Sequence, residues 1–150
     1  MKHVCFFATA LPLIASLGWS DTAVGAPCPS TRYDLSTQSE VNALGATGCD
    51  SVVGGLRIVN SADITNVDAL ANIKSVGGFL IVYNNDVLTN LNGLMNTTSV
   101  GGGLSISSNT ALTNINGLTN VNSVGDFLTI SDNTTLNNID GLANPTSIGG

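Results

Sequence analysis

A chain of 150 residues is long enough for one domain with one continuous core. Only 9% of its residues are charged, the formal net charge is -6 and the pI is near 4.1. An acidic surface filled with Asn, Thr, Ser and Gly excludes nucleic acid and anionic membrane surfaces as partners, since both need Lys/Arg patches.

The chain opens with Lys2 and His3, followed by an apolar run over residues 4–17 broken only by small residues and Pro12. Small residues follow at Gly18, Ser20, Val24 and Ala26. This is the layout of a secretory signal peptide, with cleavage expected after Ser20 and an alternative end at Ala26. The competing reading, a membrane anchor, needs ~18 to 20 apolar residues, more than the run supplies. Of the three cysteines, Cys5 leaves with the leader, and Cys28 and Cys49 remain. An even pair in an exported chain points to a disulfide. A metal site is the alternative, but two sulfurs without a histidine do not complete a tetrahedral zinc shell.

Residues 21–50 form a separate cap at the N-terminal end of the domain. Thr37 and Glu40 have capping-box spacing, and Gly45 after Leu44 reads as a helix stop, so a short helix is expected with Val41 and Leu44 on one face.

From Ser51 the chain repeats every 24 residues without insertion, with copies opening at Ser51, Ser75, Ser99, Ser123 and Ser147. Residues 51–146 thus hold four copies, and residues 147–150 open a fifth and stop, which reads as a truncated repeat of a longer chain. A fixed period in this range is the signature of a solenoid, whose units stack only on their neighbours. Numbering places within the repeat, the sixth is Leu56, Leu80, Leu104 and Leu128, and the eighth is Ile58, Val82, Ile106 and Ile130. Their alternation with polar residues is strand spacing. Apolar places fourteen, seventeen and twenty step by threes, which suggests tight corners rather than an α-helix. Glycine pairs such as Gly77-Gly78 and Gly101-Gly102 precede each strand and read as turns.

Asparagine is the second recurring element. Place eleven holds Asn85, Asn109 and Asn133, with Ser61 in the first copy, and place sixteen holds Asn66, Asn90, Asn114 and Asn138. Place twenty-two holds Asn72, Asn96, Asn120 and Asn144. Stacking at ~4.8 Å turns equal places into columns, so these asparagines are expected to form structural ladders that satisfy backbone groups at corners.

The pattern LxIxxNxxLxxIxxL over residues 104–118 resembles a leucine-rich repeat. Together with the cysteine-bounded cap, the segment over residues 36–41 and the repeated VGG before each strand, the layout of residues 28–150 resembles the receptor L-domain-like family, most of all its exported bacterial members. The resemblance implies an all-β, right-handed β-solenoid with leucine-rich-repeat character; it does not specify a ligand.

Chemistry is sparse. The one histidine, His3, lies in the leader, so the mature chain lacks a base for a nucleophilic triad. Gly101-Gly102-Gly103 precedes a strand, not the helix a phosphate loop needs. Asp68 and Asp140 share a place but stand three units apart, about 14 Å, beyond the ~9.5 Å limit of a glycosidase pair. Asp126 and Asp132 flank one strand with nothing that selects them. Calcium would suit an acidic chain, but the Asp residues do not recur at ligand spacing, so no metal or cofactor is expected. Asn96-Thr97-Thr98 and Asn133-Thr134-Thr135 are glycosylation sequons.

If places six and eight face inward, places five, seven and nine face outward. The second copy then presents Phe79, Ile81 and Tyr83, and Phe127 shares the column of Phe79 with Gly103 between them. Such a patch on a Ser/Thr/Asn sheet is the candidate contact site, against the plainer reading of scattered or covered apolar residues. The function expected is a non-enzymatic, exported cell-surface or extracellular scaffold that binds protein or carbohydrate. A structural spacer or wall component is the alternative, and a polysaccharide-active enzyme of β-helix type comes third.

Overall fold

The computed structural model describes residues 25–149. The leader expected over residues 1–20, with Cys5 and His3, lies outside them.

The cap consists of β1 (Tyr33–Leu35) and α1 (Gln38–Ala46). Thr37 accepts from the Glu40 N–H, and the Glu40 carboxylate accepts from the Thr37 N–H at 3.0 Å, so the capping box is closed. Val41 and Leu44 point from α1 into the core. The helix does not stop at Gly45. It runs on to Ala46, and Gly45 lies inside it because α1 packs against the first repeat there: a Cβ on Gly45 would stand 2.2 Å from the Ala69 carbonyl oxygen. The left-handed residue comes later, at Gly48 (φ 68°).

Each repeat then supplies a two-residue strand, a longer strand and a single 3-10 turn. These are β2 (Ser51–Val52), β3 (Leu56–Ser61) and η1 (Asp68–Leu70); β4 (Ser75–Val76), β5 (Leu80–Asn85) and η2 (Asn92–Leu94); β6 (Ser99–Val100), β7 (Leu104–Ser107) and η3 (Asn116–Leu118); and β8 (Ser123–Val124), β9 (Leu128–Ser131) and η4 (Asp140–Leu142), with β10 (Ser147–Ile148) after them. The strands form two five-stranded parallel sheets, β1-β3-β5-β7-β9 and β2-β4-β6-β8-β10. Equal places pair across every interface: Ser51 with Ser75, Leu56 with Leu80, Ile106 with Ile130. The result is a repeat fold of short parallel strands with few helices. Its core is one cluster running from the cap through Leu56, Ile64, Leu70 and their equivalents. In the fourth repeat Leu128, Leu136 and Leu142 are only half-buried, and Ile139 is 59% exposed.

The glycines that read as turns have a different reason. The chain bends at Gly77 and Gly101, but their φ values are not in the left-handed region. Glycine is needed for room: a Cβ on Gly77 would meet the Val53 carbonyl oxygen at 2.1 Å, and one on Gly101 the Gly77 oxygen at 2.3 Å. Left-handed backbone occurs instead at place ten, at Asn60, Asn84, Ser108 and Asp132, with φ between 55° and 57°. This turn ends the inward-outward alternation and aims place eleven into the core.

The cap closes the first repeat by imitating a preceding one. In the third repeat the Thr113 N–H donates to the Thr89 carbonyl one unit back. In the first repeat the Thr65 N–H donates instead to the Gln38 side-chain carbonyl at 3.0 Å. Asp63 in turn accepts from the Gln38 N–H at the start of α1. Cys28 and Cys49 form a disulfide, and the Cys28 N–H donates to the Ser51 carbonyl at 2.7 Å, so residues 27–28 lie along β2. Closing a loop of this size stabilises by roughly 3 kcal/mol in the chain-entropy model.

The Ser36 N–H, donating at 2.7 Å, is the main reason that Glu40 ionises below the ordinary glutamate range; the Ser36 hydroxyl and the Thr37 N–H add to it. Because the folded value lies below the unfolded one, the contribution is complete near neutrality and fades as pH falls through the folded value. Thermal unfolding from about pH 7 to about pH 3 is expected to show wild type above Glu40→Gln at neutrality, with the difference shrinking on acidification. A constant or growing difference would show that ionisation of Glu40 does not strengthen the cap.

Candidate functional site

The outer face of the long-strand sheet carries three rows. Row five is Gly55, Phe79, Gly103 and Phe127; row seven is Arg57, Ile81, Ser105 and Thr129; row nine is Val59, Tyr83, Ser107 and Ser131. The strands hold these rows rigidly, because the inward neighbours Leu80, Val82, Leu104 and Ile106 are fully buried. The backbone of row five is itself paired: the carbonyls of Phe79, Gly103 and Phe127 accept from Leu56, Leu80 and Leu104.

Phe79 is 45% exposed, Tyr83 43% and Phe127 45%, while Ile81 is half-buried between its neighbours. Val59, opposite Tyr83, is buried despite its outward place. The Phe79 and Phe127 ring centroids stand 6.0 Å apart with an interplanar angle of 30°. Their backbones are two strands, about 9.6 Å, apart. The rings meet because Gly103 leaves the intervening position empty.

At the N-terminal edge of this face Arg57 pairs with Asp34 at 3.1 Å, and Arg32 pairs with the same carboxylate at 2.9 Å. Lys74 pairs with Asp50 at 3.0 Å, so every cation among the described residues is in an ion pair. Asp126, just before Phe127, is exposed. Asp68 and Asp140 open the first and fourth 3-10 turns, and Asp132 occupies a left-handed corner. Among the described residues no group of three or more His, Cys, Asp or Glu is placed to hold a metal ion.

The place-eleven asparagines lie inside. The amide nitrogen of Asn85 donates to the Ile58 carbonyl and to the Asn109 Oδ1, and Asn109 repeats this toward Val82 and Asn133. Asn133 donates to the Ile106 carbonyl, so the amide of that sequon is committed to the fold, whereas Asn96 is exposed and donates to Ala71. Place twenty-two bonds between repeats: Asn96, Asn120 and Asn144 each donate to a carbonyl one unit back. Place sixteen differs from the inter-repeat ladder expected there. The side-chain oxygens of Asn66, Asn90, Asn114 and Asn138 accept from the N–H two residues on, within their own repeat, and start each 3-10 turn. The corner offers an unpaired N–H close by, and the side chain bonds to it rather than to the next asparagine.

A groove of about 580 Å³ lies outside the cap, between β1 and α1, lined by Tyr33, Leu35, Ala43 and Leu44. Its polar groups are already engaged, with the Tyr33 hydroxyl accepting from Ser30 and Glu40 held in the capping box. No helix among the described residues is long and apolar enough to cross a membrane.

No family model, no curated protein and no solved structure matches this chain.

Proposed function

We propose that this is an exported, non-enzymatic binding scaffold: a right-handed β-solenoid of leucine-rich-repeat character, similar to receptor L domains, working outside the cell or at its surface. Protein or carbohydrate is the expected partner, taken by the outer face of the long-strand sheet. One observation carries the reading: three exposed aromatic side chains stand on a rigid face whose places seven and nine are Ser or Thr in the third and fourth repeats. The disulfide is compatible with an oxidising compartment. The spacer reading draws on the third and fourth repeats, whose places seven and nine hold only Ser105, Ser107, Thr129 and Ser131. Parallel glycan and protein arrays separate the two. Specific capture on either array is expected for a binder, and silence on both would contradict the proposal and favour a spacer.

A further inference from the structure

We propose that the aromatic face takes a neutral oligosaccharide chain, lying across Phe79 and Phe127; this rests on the reading of that face as a binding surface. A Cβ built on Gly103 would stand 2.6, 2.7 and 2.8 Å from Cζ, Cε1 and Cε2 of Phe127. A point almost equidistant from these three atoms lies over the ring face, since a point beyond the ring edge would be much nearer to Cζ. Phe127 therefore lies face-down on Gly103 and turns its other face to solvent. The Phe79 ring stands next to it, with centroids 6.0 Å apart and planes tilted by 30°. Together they form a tilted step of two adjacent rings.

The ligand class is set by the shape and chemistry of such a step. A pyranose ring has an apolar face of axial C–H bonds and a rim of hydroxyls. The apolar face stacks on an aromatic ring, and two adjacent rings accept successive sugars of a linear chain. The neighbouring rows offer hydroxyls for the rim, from Ser105 and Thr129 on one line and Tyr83 and Ser107 on the next. Charge selects against acidic chains. Arg32, Arg57 and Lys74 are already paired, and the exposed Asp126 repels anions. Three exposed rings with the half-buried Ile81 beside them also fall short of the apolar centre that a protein interface of about 800 Å² per partner carries.

The test tracks the ring resonances of Phe79 and Phe127 by NMR during titration with cellohexaose, laminarihexaose, xylohexaose and mannohexaose, with polygalacturonate as the acidic control. At least one neutral hexaose is expected to shift both rings saturably, and polygalacturonate is not. Gly103→Ala keeps both phenylalanines but lifts the Phe127 ring, and is expected to weaken that binding about tenfold, the loss of one stacking ring. Only a flexible ring has to move, so its backbone spectrum stays that of wild type. Phe79→Ser/Phe127→Ser is expected to abolish the shifts. No response to any neutral hexaose, an equal response to polygalacturonate, or unchanged affinity in Gly103→Ala would overturn the proposal. If array capture of a protein is lost in Phe79→Ser/Phe127→Ser while no hexaose binds, the binding face stands and the glycan assignment falls.

Discussion

Replacing Gly117 by alanine is expected to lower the unfolding free energy by at least about 3 kcal/mol, toward the upper end of overpacking costs. Gly117 opens the closest approach between repeats. A Cβ there would stand 1.7 Å from the Leu91 carbonyl oxygen and 2.3 Å from its carbon. Both are backbone atoms of a fully buried residue, so no side chain can swing away to make room. Gly93 and Gly141 meet Val67 and Ile115 in the same way, each at 1.8 Å. The first repeat carries Ala69 at this place, and there the facing layer is α1, with Gly45 at the contact. Relief of the clash would push the third repeat off the second along its whole length, because each unit touches only its neighbours. Urea unfolding measures this directly. A midpoint equal to wild type would mean that the 3-10 turns are not packed as closely as described. Gly103→Ala is the matched contrast: the atoms in the way belong to a Phe127 ring that can move.

Asn109→Ala is expected to cost about 3 kcal/mol or more, because several buried groups lose partners at once. The Asn109 amide donates to Val82, Ser107 and Asn133, and its oxygen accepts from both the N–H and the side chain of Asn85. Each buried group left unpaired costs about 1 to 3 kcal/mol. Asn85 is already one partner short: its Oδ1 is buried without a hydrogen bond among the described residues. The reason lies one repeat back, where Ser61 stands in the ladder position and turns its hydroxyl to Asp63. Asn109→Asp keeps the shape but loses the donors, and is expected to be no better than alanine. A loss under about 1 kcal/mol in either variant would show that the ladder is incidental to stability.

Much of the fold is legible in the residues themselves. The 24-residue period puts equal places side by side, and the pairing of Leu56 with Leu80 and of Leu80 with Leu104 follows from it. The capping box over Thr37 and Glu40 is local and needs no tertiary information. The glycines are harder to read, because a glycine needed for close approach and one needed for a turn look alike in a sequence. Gly45, Gly77 and Gly117 are all explained by the layer beneath them, which a linear chain does not display. The left-handed corner had a signal: place ten holds only Asn, Ser and Asp, residues that tolerate that conformation or cap a turn. Place sixteen holds Asn as place eleven does in three of its four copies, but has the opposite bonding habit, decided by whether a free N–H lies within the repeat or beyond it. For the candidate site, the outward column of Phe79, Gly103 and Phe127 was visible from spacing. The contact of the two rings was not, because it depends on one side chain folding back over a glycine.

On the proposed function, the fixed places hold the fold and the residues departing from them bind. The urea midpoint and the array capture of Phe79→Ser/Tyr83→Ser, taken on one preparation, separate these two roles. The predicted result is a midpoint close to wild type with capture lost. Capture at wild-type strength, or loss of the folded transition along with capture, would contradict it.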